Sequence, residues 1–140
     1  PTGAELGGTT RAFDPAVRDL LERRVTEIAE RTAAVYGATA KVAYRRMYPP
    51  VVNTERETAF AVRSARAIAS AKAVNDRLAP LMGSEDFAFM LEQVAGAYLW
   101  LGNGPVASFG ALHTPTYDFN DAILPTGARI LAALVETDRR

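Results

Sequence analysis

The chain has 140 residues, 16 basic and 16 acidic side chains, and no cysteine. Its 49% apolar and 23% charged residues exclude a disordered tract, and its length fits one domain or pieces of two. A formal charge of zero gives no electrostatic reason to expect nucleic acid or an anionic membrane as partner, and the lack of cysteine excludes disulfides and thiolate metal sites.

Residues 1–8 show no initiator Met and no basic region followed by an apolar run, so no signal peptide is expected there. The start reads as the continuation of a longer polypeptide. No uncharged apolar stretch approaches the roughly 18 residues of a membrane-spanning helix. A cytoplasmic location is the expectation.

Leu6 to Phe13 reads as a short extended segment. Asp14-Pro15 then predicts a helix start: the carboxylate caps free N–H groups, and proline suits the first helical position. Val17, Leu20, Leu21, Val25, Ile28, Ala29, Thr32 and Val35 recur at steps of three or four and form one apolar stripe. Gly37 is a natural stop. Ala40 to Tyr48 alternates as a strand does, with Val42 and Tyr44 on one face and Lys41, Ala43 and Arg45 on the other. Pro49-Pro50 ends it, and a domain boundary is placed there. Strand-helix-strand with one apolar helix face suggests part of an open-faced α/β sandwich.

Asn53 or Thr54 caps a second predicted helix through about Ser70, with Phe60, Ala61, Ala65 and Ile68 as its buried stripe. Lys72 to Pro80 is a connection, or a short strand near Ala73 and Val74. Ser84 is expected to open a third helix, with Glu85 and Asp86 where negative charge suits the dipole. Ala97 to Leu101 reads as a buried strand closed by Gly102-Asn103-Gly104. Pro105 to Pro115 is a loop. A last helix is expected from Asn120 or Asp121, or after Pro125, to about Thr137.

Four places hold residues that chemistry can use. His113, the sole histidine, follows a Gly-rich turn in Ala-Leu-His-Thr-Pro. Imidazole is a common metal ligand and proton carrier. Spacing alone favours an ordinary loop histidine, because neither HxH nor HExxH occurs and a catalytic metal site wants about three protein ligands. Gly83-Ser84-Glu85-Asp86 presents backbone N–H groups at a helix start, suited to a carboxylate or oxyanion, or is simply a well-capped helix. Gly102-Asn103-Gly104 lets a substrate approach backbone, or is an ordinary turn; it lacks any dinucleotide or P-loop spacing. Arg11 can grip a carboxylate bidentately, or is a solvated arginine. No GxSxG elbow is present, so a serine hydrolase has little support.

The segments GGTTRAFD (7–14), ATAKVAYRRMYPPVVN (38–53), MGSEDFAFML (82–91), AYLWLGNG (97–104) and LHTPTYDFNDAILPTGARILAAL (112–134), in this order, resemble the M20 metallopeptidases. The likeness is to their amidohydrolase branch, with hippurate hydrolases and indole-acetyl-amino-acid hydrolases. The resemblance implies residues 1–49 as the second half of a lid and dimerisation domain. It implies residues 50–140 as the C-terminal helices and strand of a zinc-peptidase-like catalytic α/β domain. It implies an N-acyl amino acid or small amide as substrate, a homodimer through the lid, and a divalent metal: zinc, manganese or nickel. His113 matches the family's last metal ligand, which reverses the reading from spacing. Gly83, Ser84 and Glu85 match a loop bordering the active site, and Gly102 to Gly104 a loop beside it, where Asn103 departs from a frequent Gly-Ala-Gly. Arg11 matches an arginine of the lid strand.

The family's other ligands, its general-base glutamate and its lid histidine have no counterpart in these residues. No catalytic residue and no tight metal are therefore expected of this chain alone. In the intact protein the resemblance implies that the metal activates water and polarises the amide while the glutamate moves the proton. The alternative is a non-catalytic truncated homologue or a packing module.

Overall fold

The computed structural model describes residues 2–138. It divides into two compact units: Pro1–Val51 with Pro80–Phe89, and Val52–Ala79 with Met90–Arg140.

The first unit is built on α1, Pro15–Val35. The Asp14 carboxylate accepts from the N–H groups of Ala16 at 2.7 Å and Val17 at 3.4 Å, so the expected cap forms. At the other end Gly37 takes φ +68°, and the N–H groups of Gly37 and Ala38 return to the carbonyls of Ala34 and Ala33. This is the glycine-dependent reversal that satisfies the last free carbonyls. Residues 44–47 are tied to the helix and to the segment before it. Arg18 donates to the Met47 carbonyl at 2.7 Å, Arg46 pairs with Asp19 at 2.6 Å and with Glu22, and the Thr10 and Tyr44 hydroxyls share a hydrogen bond. Val42 and Tyr44 are half-buried while Lys41, Ala43 and Arg45 are exposed, which is the alternation read from the sequence. The apolar stripe of α1 has no buried residue.

The second unit pairs α2, Glu55–Ile68, with the final helix. Thr54 lies at the N-terminus of α2, but its hydroxyl does not cap the helix; it bonds Glu57 at 2.5 Å and the Gly96 carbonyl at 3.1 Å. That hydroxyl, and then the Arg56 guanidinium, hold the Glu57 carboxyl below its ordinary value of 4.5. The Asn53 amide bonds both the N–H and the carbonyl of Tyr98, at 2.8 and 3.0 Å, and so anchors residues 97–101 beside the start of α2. Ala61, Ser64 and Ala65 are the buried residues of α2. Such small side chains allow a neighbouring helix to come close. The Ser64 hydroxyl is buried with no partner among the described residues.

Several expectations change. Ser84 does not open a helix: α3 is short and runs Phe87–Leu91. The Glu85 carboxylate accepts the N–H of Asp86 at 3.1 Å, a local bond that competes with helical propagation. Residues 71–73 form a 3-10 turn instead of a strand. A second short helix, α4 (Val106–Phe109), interrupts the expected loop. The last helix enters through a 3-10 turn at Asp121–Ile123 and continues as α5, Leu124–Asp138. Residues 40–48 and 97–101 join no β-ladder among the described residues. A strand exists only through a neighbour that accepts its backbone bonds, so these two segments have the strand pattern without the pairing. No helix among the described residues is long and apolar enough to cross a membrane.

Candidate functional site

His113 sits in a loop that the second unit closes tightly. The loop leaves Gly104, whose φ is +108° and where a Cβ would lie 2.8 Å from the Phe109 ring. It passes through α4 to Gly110, at φ +74°, where a Cβ would run into the Thr116 carbonyl. Both glycines are required by backbone conformation and by space. The Asp118 N–H then returns to the Phe109 carbonyl at 2.8 Å.

Within this loop Ala111 to Thr114 make a turn. The Thr114 N–H reaches the Ala111 carbonyl at 3.3 Å, and the Thr114 hydroxyl donates to the same carbonyl at 2.7 Å. His113 occupies the third position with φ +63°, the only left-handed residue other than glycine among those described. That position normally takes Gly or Asn. A histidine there is held against a local preference, and its side chain is exposed. Tyr117 and Phe119 stack edge to face, with ring centres 5.1 Å apart, just beyond the turn.

Asn103 joins the two ends of the loop. Its amide nitrogen donates to the Asp118 carbonyl at 2.8 Å, and its amide oxygen accepts the Asn120 N–H at 2.8 Å. The Asn120 amide donates back to the Asn103 carbonyl at 3.1 Å, while its oxygen accepts the Ala122 N–H at 3.2 Å at the entry to α5. The sequence offers Asn120 only as a helix start. The signal that could have revealed its second role is an asparagine at each end of a loop bounded by glycines.

Gly102, Asn103, Gly104 and His113 thus share the second unit, whereas Arg11, Gly83, Ser84 and Glu85 belong to the first. Arg11 is exposed and donates to the Thr9 hydroxyl at 2.9 Å. Gly83 and Ser84 are exposed, and Glu85 is half-buried. No three His, Asp or Glu side chains among the described residues converge as a metal site would need. These residues by themselves do not fit a divalent ion, since a single imidazole leaves the remaining coordination positions without protein donors.

The model of peptidase family M20/M25/M40 matches residues 2–137. A putative amidohydrolase, YhaA, from Bacillus subtilis is 35% identical over 136 residues, covering 96% of this chain and 34% of that protein. The IAA-amino acid hydrolase ILR1-like 2 of Arabidopsis thaliana is 32% identical over 139 residues, covering 96% of this chain and 31% of that protein. An N-acetyldiaminopimelate deacetylase of Oenococcus oeni is 34% identical over 113 residues, covering 79% of this chain and 29% of that protein. The chain spans about a third of the length of the curated relatives it matches. No solved structure matches it significantly.

Proposed function

Since the chain belongs to peptidase family M20/M25/M40, we propose that it is the C-terminal part of an amidohydrolase that cleaves an N-acyl amino acid or a related small amide. The relatives named as amidohydrolase, IAA-amino acid hydrolase and deacetylase support the reaction class. The structural observation that carries the site is His113 at φ +63° on a loop closed at both ends. A residue in a sparsely populated conformation persists when its surroundings hold it there, and such residues gather at functional sites.

In this reading His113 supplies one donor to a divalent ion (zinc, manganese or nickel), and other parts of the protein supply the rest. Gly102, which has open space where a side chain would stand, leaves room for a substrate's amide, while Gly104 serves the turn beneath the Phe109 ring. In the whole protein Gly83, Ser84 and Glu85 border a substrate site, and Arg11 meets a substrate carboxylate. Residues 1–49 belong to a lid domain through which the protein dimerises. Residues 50–140 belong to a catalytic α/β domain. Segment 40–48 pairs as a strand in the lid domain and segment 97–101 in the catalytic domain, with partners supplied by the rest of the polypeptide.

The test is His113→Gln in the protein that carries this chain, assayed on a panel of N-acetyl and N-benzoyl amino acids. Loss of even a supporting group around a metal typically costs 10–100-fold, so loss of a ligand should lower kcat/KM by at least about 100-fold at unchanged thermal midpoint. Activity within a few-fold of the wild type would remove His113 from the site.

A further inference from the structure

We propose that Asn103 is a positioning residue, whose side-chain amide clamps the base of the His113 loop and thereby sets where the imidazole stands. The inference rests on the reading of His113 given above. The loop from Gly104 to Tyr117 is closed by few bonds. One is between backbone groups, from the Asp118 N–H to the Phe109 carbonyl. Three more involve Asn103: its amide reaches the Asp118 carbonyl and the Asn120 N–H, and its carbonyl receives the Asn120 amide. Both ends of the Asn103 amide are therefore engaged inside the unit, with one donor bond and one acceptor bond at 2.8 Å. One N–H and one lone pair of that amide are thereby committed to the loop.

The neighbouring glycines sharpen the argument. Gly104 lets the chain leave the clamp directly beneath the Phe109 ring, and Gly110 lets it turn against the Thr116 backbone. Neither has a side chain to hold the loop, so the Asn103 amide acts where the glycines leave the backbone free. From Asn120 the network continues to the Ala122 N–H at the entry to α5, so the loop's exit is fixed to a long helix. The Asn120 and Asn103 side-chain amides thus tie both ends of the loop that carries His113 to the entry of α5. A displacement of about 1 Å in such a residue can cost on the order of 100-fold in rate.

The experiment compares Asn103→Ala and Asn103→Asp with wild type in the protein that carries this chain, by steady-state kinetics on an N-acyl amino acid and by amide hydrogen exchange. Asn103→Asp is nearly isosteric. It keeps an acceptor for the Asn120 N–H but faces the Asp118 carbonyl with a second oxygen. Both variants should lower kcat about 10- to 100-fold with KM within about twofold, and should speed exchange in residues 105–117 while leaving α2 unchanged. A raised KM with unchanged kcat would mean that the amide touches substrate, and would overturn the proposal. Unchanged exchange in the loop would overturn it as well, as would faster exchange with unchanged kcat. The failure of the underlying reading has its own signature, full activity in His113→Gln, whereas the exchange measurement judges the clamp regardless of that result.

Discussion

The conformation of His113 separates two demands on one residue. A left-handed backbone costs a non-glycine residue about 1–2 kcal/mol, and glycine would avoid it. Glycine in turn gives the unfolded chain more freedom, which costs about 0.5–1 kcal/mol. His113→Gly should therefore raise stability by about 0.5–1 kcal/mol, read as a higher denaturant midpoint, while activity falls. His113→Ala removes the imidazole but keeps the strain, so it should bring no such gain. If His113→Gly were both fully active and less stable, neither the strain nor the site would stand. The sequence singles out His113 as the sole imidazole, yet nothing in it marks φ +63°. That conformation follows from the Ala111–Thr114 turn and from bonds between residues 15 to 17 apart at Asn103, and no local pattern encodes such contacts.

At the scale of elements, α2 joins acid stability to helix geometry. Glu55 and Glu57 lie in its first turn, where negative charge suits the dipole. Glu57 also accepts from Thr54 and Arg56, which lowers its carboxyl below 4.5 in the folded state. The ionised form is thus the one that folding favours. Its contribution is fully present above about pH 4.5 and is lost as pH falls through the lowered folded value. Glu57→Gln should flatten the acid limb of stability below pH 4.5 and leave the slope at neutral pH unaltered, as measured by denaturant unfolding across pH. An unchanged acid limb would show that the Thr54 bond does not survive in solution. The ends of α1 were legible because Asp14, Pro15 and Gly37 act on backbone groups within a few positions of themselves. The start of α3 was not, because the Glu85 carboxylate takes the N–H of Asp86 locally, and Ser84 has no helix to cap. Residues 97–101 carry the apolar pattern of a strand, but what holds them here is the Asn53 amide on Tyr98, a contact across 45 positions.

For the whole molecule the decisive fact is what kind of side chain is buried. Among the described residues the buried hydrophobics are Ala61, Ala65 and Ala88, and no large side chain is fully enclosed. Leu20, Ile28, Trp100 and Leu131 stay 43%, 54%, 61% and 66% exposed. Covering one such side chain is worth about 1.5–3 kcal/mol, so surfaces of this kind seek a partner. The relatives are about three times as long as this chain, and in a protein of that length the remaining polypeptide can supply that cover. The 140-residue chain on its own should therefore bind a hydrophobic dye and self-associate at micromolar concentration. Leu20→Glu with Ile28→Glu, on the exposed stripe of α1, should weaken that association by disrupting the apolar surface without removing any buried contact of the helix. A monodisperse species by light scattering that leaves the dye dark would mean that these faces are covered within the chain itself, by packing different from that described.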